Sequence, residues 1–403
     1  MKGMTASNDG NFPGLRARLL EGLLTASIYG FGVSLLFGVG THDIFLYLSA
    51  AAVVGLALPA RGRCRISRPM AALLALVAVL AVQGYLMAPA GGIDLRFLEH
   101  LSWPVAAVAG VIMLPERFGS GRRPLHKPLL AVLSVVYVIA QWMGFAAYPG
   151  KFGLFSNPHV LALYCVLTLP ILFYFSVAAG RGAMQGLFLL ALLADALLLL
   201  KTQSRPGFLA LLAGSLAIVP FLAARRRRTT VSAILAVPAL LYLSGIYGFD
   251  ARVDDLFANA LKEERVAIWT ETAEMQSASS AREWVFGHGF GQFYRDYPAY
   301  SSFHAVVDFS FPHNFLLELL YSHGVVGLAL AISAYALFFR TLLSRIASAD
   351  RPGQRQAGLL LIVVATAHLA HAFLTLPFFS RSTLYPLSLI LGAGFRFSKA
   401  NHG

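Results

Sequence analysis

The sequence is poor in charge: only 13% of its 403 residues are Asp, Glu, Lys or Arg, about half the roughly 25% of a soluble globular domain. With 57% hydrophobic residues, that scarcity excludes an ordinary water-soluble fold. There are two cysteines, Cys64 in a basic stretch and Cys165 inside a hydrophobic run, so no disulfide framework is expected. No glycine-rich phosphate loop ending in Lys-Ser/Thr, no zinc-ligand spacing and no Gly-x-Ser-x-Gly nucleophile turn occurs, which leaves no sign of ATP-driven, zinc-dependent or serine-hydrolase chemistry. Residues 1–18 lack a short apolar core followed by a small-residue cleavage site, so the first hydrophobic run is expected to remain as a membrane helix. Nor is there an internal repeat of the kind secondary transporters carry.

What the chain does have is apolar runs of membrane-crossing length from Leu19 to its end. They predict an all-α polytopic membrane protein, one integral domain over 1–403. Twelve spans are expected, at 19–39, 44–60, 70–88, 97–114, 129–148, 159–179, 187–201, 206–224, 229–248, 314–339, 357–377 and 383–398. With these spans, 22 of the 32 basic residues collect in alternate connections, including Arg61 to Arg68, Arg225 to Arg228 and Arg340 to Arg355. Cytoplasmic connections concentrate Lys and Arg, so both termini are predicted to be cytoplasmic and residues 249–313 to form one large periplasmic loop. The same rule accounts for the net charge of +13 without nucleic acid, and makes Arg225 to Arg228 a stop signal for the eighth span.

Polar residues on the outward side need partners, because charge at a membrane boundary is costly. Lys201 and Arg205 lie in a short outward connection that would normally avoid positive charge; an anionic headgroup or pyrophosphate would explain them, and snorkelling of both chains is the plainer reading. Arg265, Trp269 and Thr272 fall at i, i+4 and i+7 of an expected amphipathic helix over 261–276, lying on the membrane surface. A guanidinium beside an indole there suits a phosphate or a sugar, the alternative being an ion pair with Glu263, Glu264 or Glu271. His313 directly precedes the tenth span and is a candidate general base, with Asn314 placed to orient its ring or the substrate. Arg381, in the last outward loop, is a further headgroup contact. Gly287-x-Gly289-x-Gly291 follows no strand, and reads as a tight, closely packed turn rather than a phosphate cradle. Asp254-Asp255 is a poor cation site on its own, and His368 with His371, one turn apart, supplies only two ligands. A reaction outside the cytoplasm needs an already activated donor, such as a glycan on a polyprenyl pyrophosphate, whose leaving group arginines stabilise.

These residues in this topology resemble the O-antigen ligase family, within a group that includes O-antigen polymerases and bacterial protein O-oligosaccharyltransferases. The resemblance rests on Gly153 to Pro158 entering the sixth span, Ser204-Arg205 heading the eighth, Arg265 and Trp269 followed by Gly287 to Gly291, and His313-Asn314. It implies a bacterial inner-membrane enzyme that moves a preassembled glycan from undecaprenyl pyrophosphate to the lipid A–core oligosaccharide, inverting and without metal or other cofactor. In that reading Arg205 and Arg265 hold the pyrophosphate and His313 is the base. His159 departs from the Asn that related sequences often carry after Asn-Pro. A polymerase using the same donor is the near alternative, though polymerases more typically divide the outward surface between two sizeable loops. A transporter of an anionic solute is the distant one.

Overall fold

Among the described residues, this apolar sequence folds mainly into helices. The computed structural model describes residues 126–259, 264–302, 309–349 and 352–376, with Val79, Val82, Gln83, Met87 and Thr383. Of the expected spans, 19–39, 44–60, 97–114, nearly all of 70–88 and all but Thr383 of 383–398 lie outside these residues, as does Arg381. The described helices are α1 (His126–Ala147), α2 (Pro158–Ala178), α3 (Ala183–Thr202), α4 (Arg205–Ala217), α5 (Ala224–Ser244), α6 (Phe249–Asn259), α7 (Glu264–Ser277), α8 (Ala281–Phe286), α9 (Gln292–Asp296), α10 (Phe315–Ala347) and α11 (Pro352–Leu374). No strand occurs among the described residues; Phe152 and Phe155 form an isolated bridge before α2.

The bundle is organised around α2, which packs against α1, α3, α4 and α11. Its start is encoded locally: Asn157 caps the helix by accepting from the His159 amide, and Pro158 occupies the first turn, where a missing N–H costs nothing. Leu161 to Leu169 form an unbroken buried run, because neighbours cover every face of the helix. Helix α4 lies flush on α11. A methyl group at Gly214 would come within 2.7 Å of the Val363 carbonyl oxygen, so glycine sets that approach.

Among the described residues, α2, α3, α10 and α11 are long and apolar enough to cross a membrane. The expected eighth span, 206–224, is shorter than its composition suggests. Helix α4 has 13 residues, followed by a 3-10 turn at Val219–Phe221. At about 1.5 Å per residue, such a helix reaches only ~20 Å, short of a hydrocarbon core of about 30 Å. The arginine run begins α5 instead of ending α4, yet it still serves the preceding turn: Arg227 donates to the Pro220 and Leu222 carbonyls, and Arg355 to that of Phe221. Cations thus satisfy carbonyls that the ending helix leaves unpaired. These contacts join the C-terminal end of α4 to the N-terminal ends of α5 and α11. The opposite end of the bundle holds the starts of α2, α4 and α10 and the ends of α3 and α11.

Residues 249–313 are largely helical where described. Helix α7 turns Ile268, Thr272, Met275 and Gln276 inward. Ile268 and Met275 pack with Phe293, Tyr297 and Tyr321, so the stripe predicted to lie on lipid is spent on protein. The glycine-rich turn folds against a break in α10 at Gly324, whose φ is +64°. At a break, carbonyls lose their helical donors; here the His288 and Gly289 amides donate to Tyr321 and Ser322 oxygens at 2.8 and 3.1 Å. Those amides are therefore committed to the backbone, as expected of a packed turn. From another part of the chain, Gln83 Nε2 donates to Phe286 and His323 oxygens, each at 2.6 Å.

Candidate active site

Arg205, His159, Arg265 and His313 meet at the end of the bundle away from the arginine run. Helix α3 stops at Thr202 because Gln203 turns left-handed at φ +52°. The next residue, Ser204, caps α4 through Oγ, which accepts from the Gly207 amide. Arg205 is thereby fixed in the first turn of α4 and pairs with Asp255 of α6. Asp255 is thus an arginine's counter-charge, not half of a cation site. Among the described residues, no cluster of three His, Cys, Asp or Glu side chains is arranged to hold a metal.

Arg265, on the first turn of α7, is half-buried; no described carboxylate makes a direct ion pair with it, and the adjacent Glu264 charge only partly favours its protonated form. Glu271, one of its expected partners, is occupied: it accepts from Tyr297 Oη, at 2.5 Å, and from the Ser302 amide and hydroxyl. Arg265 instead donates to His159 Nε2 at 3.3 Å. Burial lowers the affinity of its guanidinium for a proton, and nearby Arg205 lowers it further. Two adjacent cations, only one of them directly ion-paired among the described residues, favour an added anion.

His313 stands just before α10 in a left-handed conformation, φ +53°, uncommon for a side chain larger than glycine. It is held there by Phe311, its ring centroid 4.2 Å away, by Phe309 at 5.5 Å, and by a 2.9 Å bond from Nδ1 to the Thr375 carbonyl after α11. A carbonyl only accepts, so Nδ1 carries the hydrogen and a neutral ring leaves Nε2 with a bare lone pair. Burial pushes the pKa down to about 4; the Thr375 bond opposes this, and the Arg265 charge adds to it. The ring is neutral at physiological pH, with its basic nitrogen uncommitted.

The other expected residues divide. Asn314 caps α10: its side-chain oxygen accepts from the Leu316 and Leu317 amides, so the Thr375 carbonyl is what orients His313. Trp269 lies one turn after Arg265, packs near Phe373 of α11 and has a buried Nε1–H with no partner among the described residues. Lys201 points elsewhere. Its ammonium sits over the Phe145 and Trp142 rings of α1, at 4.3 and 5.6 Å from their centroids, a cation–π contact that uses the charge for packing.

Two features carried little weight in sequence. His371, buried on α11 within electrostatic reach of His159 and Arg265, has both ring nitrogens unpartnered, while its neighbour His368 is bonded through Nε2 to the Thr383 carbonyl. Asp195 is buried within α3 and accepts from Thr168 of α2; a lone acid inside a leucine-rich run was its visible signal.

No curated protein matches the chain. Residues 186–332 match the family model described as O-antigen ligase, a stretch from α3 into α10 that contains Arg205, Arg265 and His313 and leaves His159 outside it. Over that segment, the chain is similar to the O-antigen ligase family.

Proposed function

We propose that the protein is an O-antigen ligase, transferring a preassembled glycan from undecaprenyl pyrophosphate to a hydroxyl of the lipid A–core oligosaccharide at the periplasmic face of the inner membrane. The observation that carries this reading is the half-buried Arg265, without a direct ion pair among the described residues, beside Arg205 and within electrostatic reach of a neutral His313. Such an arrangement wants an anion and a hydroxyl together.

In the reaction, His313 Nε2 takes the proton of the acceptor hydroxyl as its oxygen attacks the anomeric carbon from the face opposite the pyrophosphate. The bond from that carbon to the pyrophosphate oxygen breaks, the configuration inverts, and the electron pair leaves on the pyrophosphate. Arg265 and Arg205 stabilise the charge that grows there, in surroundings drier than water, where such interactions are strengthened. A bound pyrophosphate also offsets the repulsion that Arg265 exerts on a protonated His313, so the donor makes the histidine a better base when it is needed. The buried Trp269 Nε1–H, one turn from Arg265, serves as a further donor to the pyrophosphate-linked glycan. Arg381 is retained as a further headgroup contact, and Lys201 and Asn314 as supports of the surrounding helices.

The test is the lipopolysaccharide gel profile of a ligase-deficient host expressing the wild type, Arg205→Ala, Arg265→Ala or His313→Ala, with membrane levels matched. Wild type should restore the long-chain ladder and each substitution should abolish it. Polymerisation is the second reading. It would be favoured if a null in the native host still attached single repeat units; unaltered surface glycans in that null would refute both.

A further inference from the structure

His159 makes two hydrogen bonds that join the elements bearing the two site arginines. A guanidinium can only donate, so at 3.3 Å His159 Nε2 accepts from Arg265. The neutral ring must then carry its hydrogen on Nδ1, which donates to Ser204 Oγ at 3.0 Å. Ser204 is the residue that caps α4 and sets the direction of Arg205. His159 itself is held firmly: its amide is bonded to the Asn157 cap, and it opens the most buried helix of the bundle. Arg265, by contrast, sits in the first turn of α7, and no other described side chain bonds its guanidinium.

We infer that His159 is a positioning residue for the donor's pyrophosphate: it aims the Arg265 guanidinium at the anion and ties it to the cap of the Arg205 helix. This rests on the glycosyl-transfer reading given above. The imidazole suits the task because it adds no charge of its own; an acidic partner in its place would pair with the guanidinium and compete with the anion. The guanidinium's remaining donors stay available to phosphate oxygens.

The experiment is a double-mutant cycle on the purified full-length protein in lipid nanodiscs. Two readouts are taken: turnover with undecaprenyl pyrophosphate-linked glycan and core acceptor, and binding of undecaprenyl pyrophosphate alone. His159→Phe keeps the ring's bulk and removes both bonds, and is expected to lower kcat/KM by about 10²-fold, the scale for a misplaced group. The loss should appear in the donor KM with the acceptor KM unchanged, which a general folding defect would not produce. His159→Gln, whose side-chain oxygen can still accept from Arg265, should recover most of the loss. In an Arg265→Ala background, His159→Phe should have no further effect, about 1-fold.

Multiplicative losses in the cycle, or failure of His159→Gln to exceed His159→Phe at equal thermal stability, would overturn the positioning role while the ligase reading stands. Coupled losses in undecaprenyl pyrophosphate binding without turnover by wild type would sink the ligase reading and keep this one. A wild type that neither binds nor turns over would remove both.

Discussion

Replacing Gly324 by alanine puts one methyl group where the backbone leaves no room. An ideal Cβ there would lie 2.4 Å from the Val285 oxygen, 2.5 Å from the Val285 carbonyl carbon and 2.6 Å from the Gly287 nitrogen. All three are backbone atoms, so no rotamer change relieves the contact. The conformation itself, φ +64° and ψ −170°, is essentially restricted to glycine and costs any other residue about 1–3 kcal/mol. Overpacking adds roughly 1–3 kcal/mol more. Relief by separation would pull the turn from α10 and lose the two amide bonds to Tyr321 and Ser322. The expected cost is therefore about 2–6 kcal/mol, by adding those two ranges. Tyr321, one turn before the break, packs on α7, so the disturbance should spread to the Arg265 helix. The assay is thermal unfolding of the detergent-purified protein, with Gly186→Ala as the control: Gly186 is exposed on α3 and a methyl there meets nothing within 4 Å. Gly324→Ala should melt several degrees lower and the control within error of wild type. Equal melting of Gly324→Ala and wild type would refute the close-packed junction.

Further tests address the site and its supports. In the proposed role of base, His313 acts unprotonated, and its pKa is pushed down to about 4, so kcat/KM should stay level from pH 8 to about 5 and fall below that; a midpoint near the unperturbed 6.5 would count against this environment. Arg265→Lys should fall nearly as far as Arg265→Ala, by about 10²–10³ in kcat, since an ammonium cannot hold His159 and grip phosphate oxygens with the same planar fork; full activity of the lysine variant would argue against a geometric role. Gln83→Leu leaves the Phe286 and His323 carbonyls without their donor and should cost about 1–3 kcal/mol, read as a lower melting temperature. Asp195→Asn keeps an acceptor for Thr168 and should melt near wild type, whereas Asp195→Ala should melt lower; the reverse order would disprove a hydrogen-bonding role.

Sequence by itself determined the helices, because apolar length, caps and breakers act within a few residues. Asn157 before Pro158 sets the start of α2, Gln203 ends α3, and Asn314 opens α10 close to where the pattern placed a span. It also singled out Arg205, Arg265 and His313 by their chemical type near a membrane boundary. Tertiary structure decided what these residues touch. Only packing reveals that Lys201 spends its charge on aromatic rings while Arg265 bonds the neutral ring of His159. It also shows that a backbone carbonyl 62 residues away selects the His313 tautomer, and that His159 links two helices it was not expected to reach. The physical reason is range: caps and hydropathy are summed over neighbours in the chain. Ion pairing, tautomer and desolvation depend on atoms within a few ångströms in space, supplied here by α2, α4, α6, α7 and α11 from across the sequence.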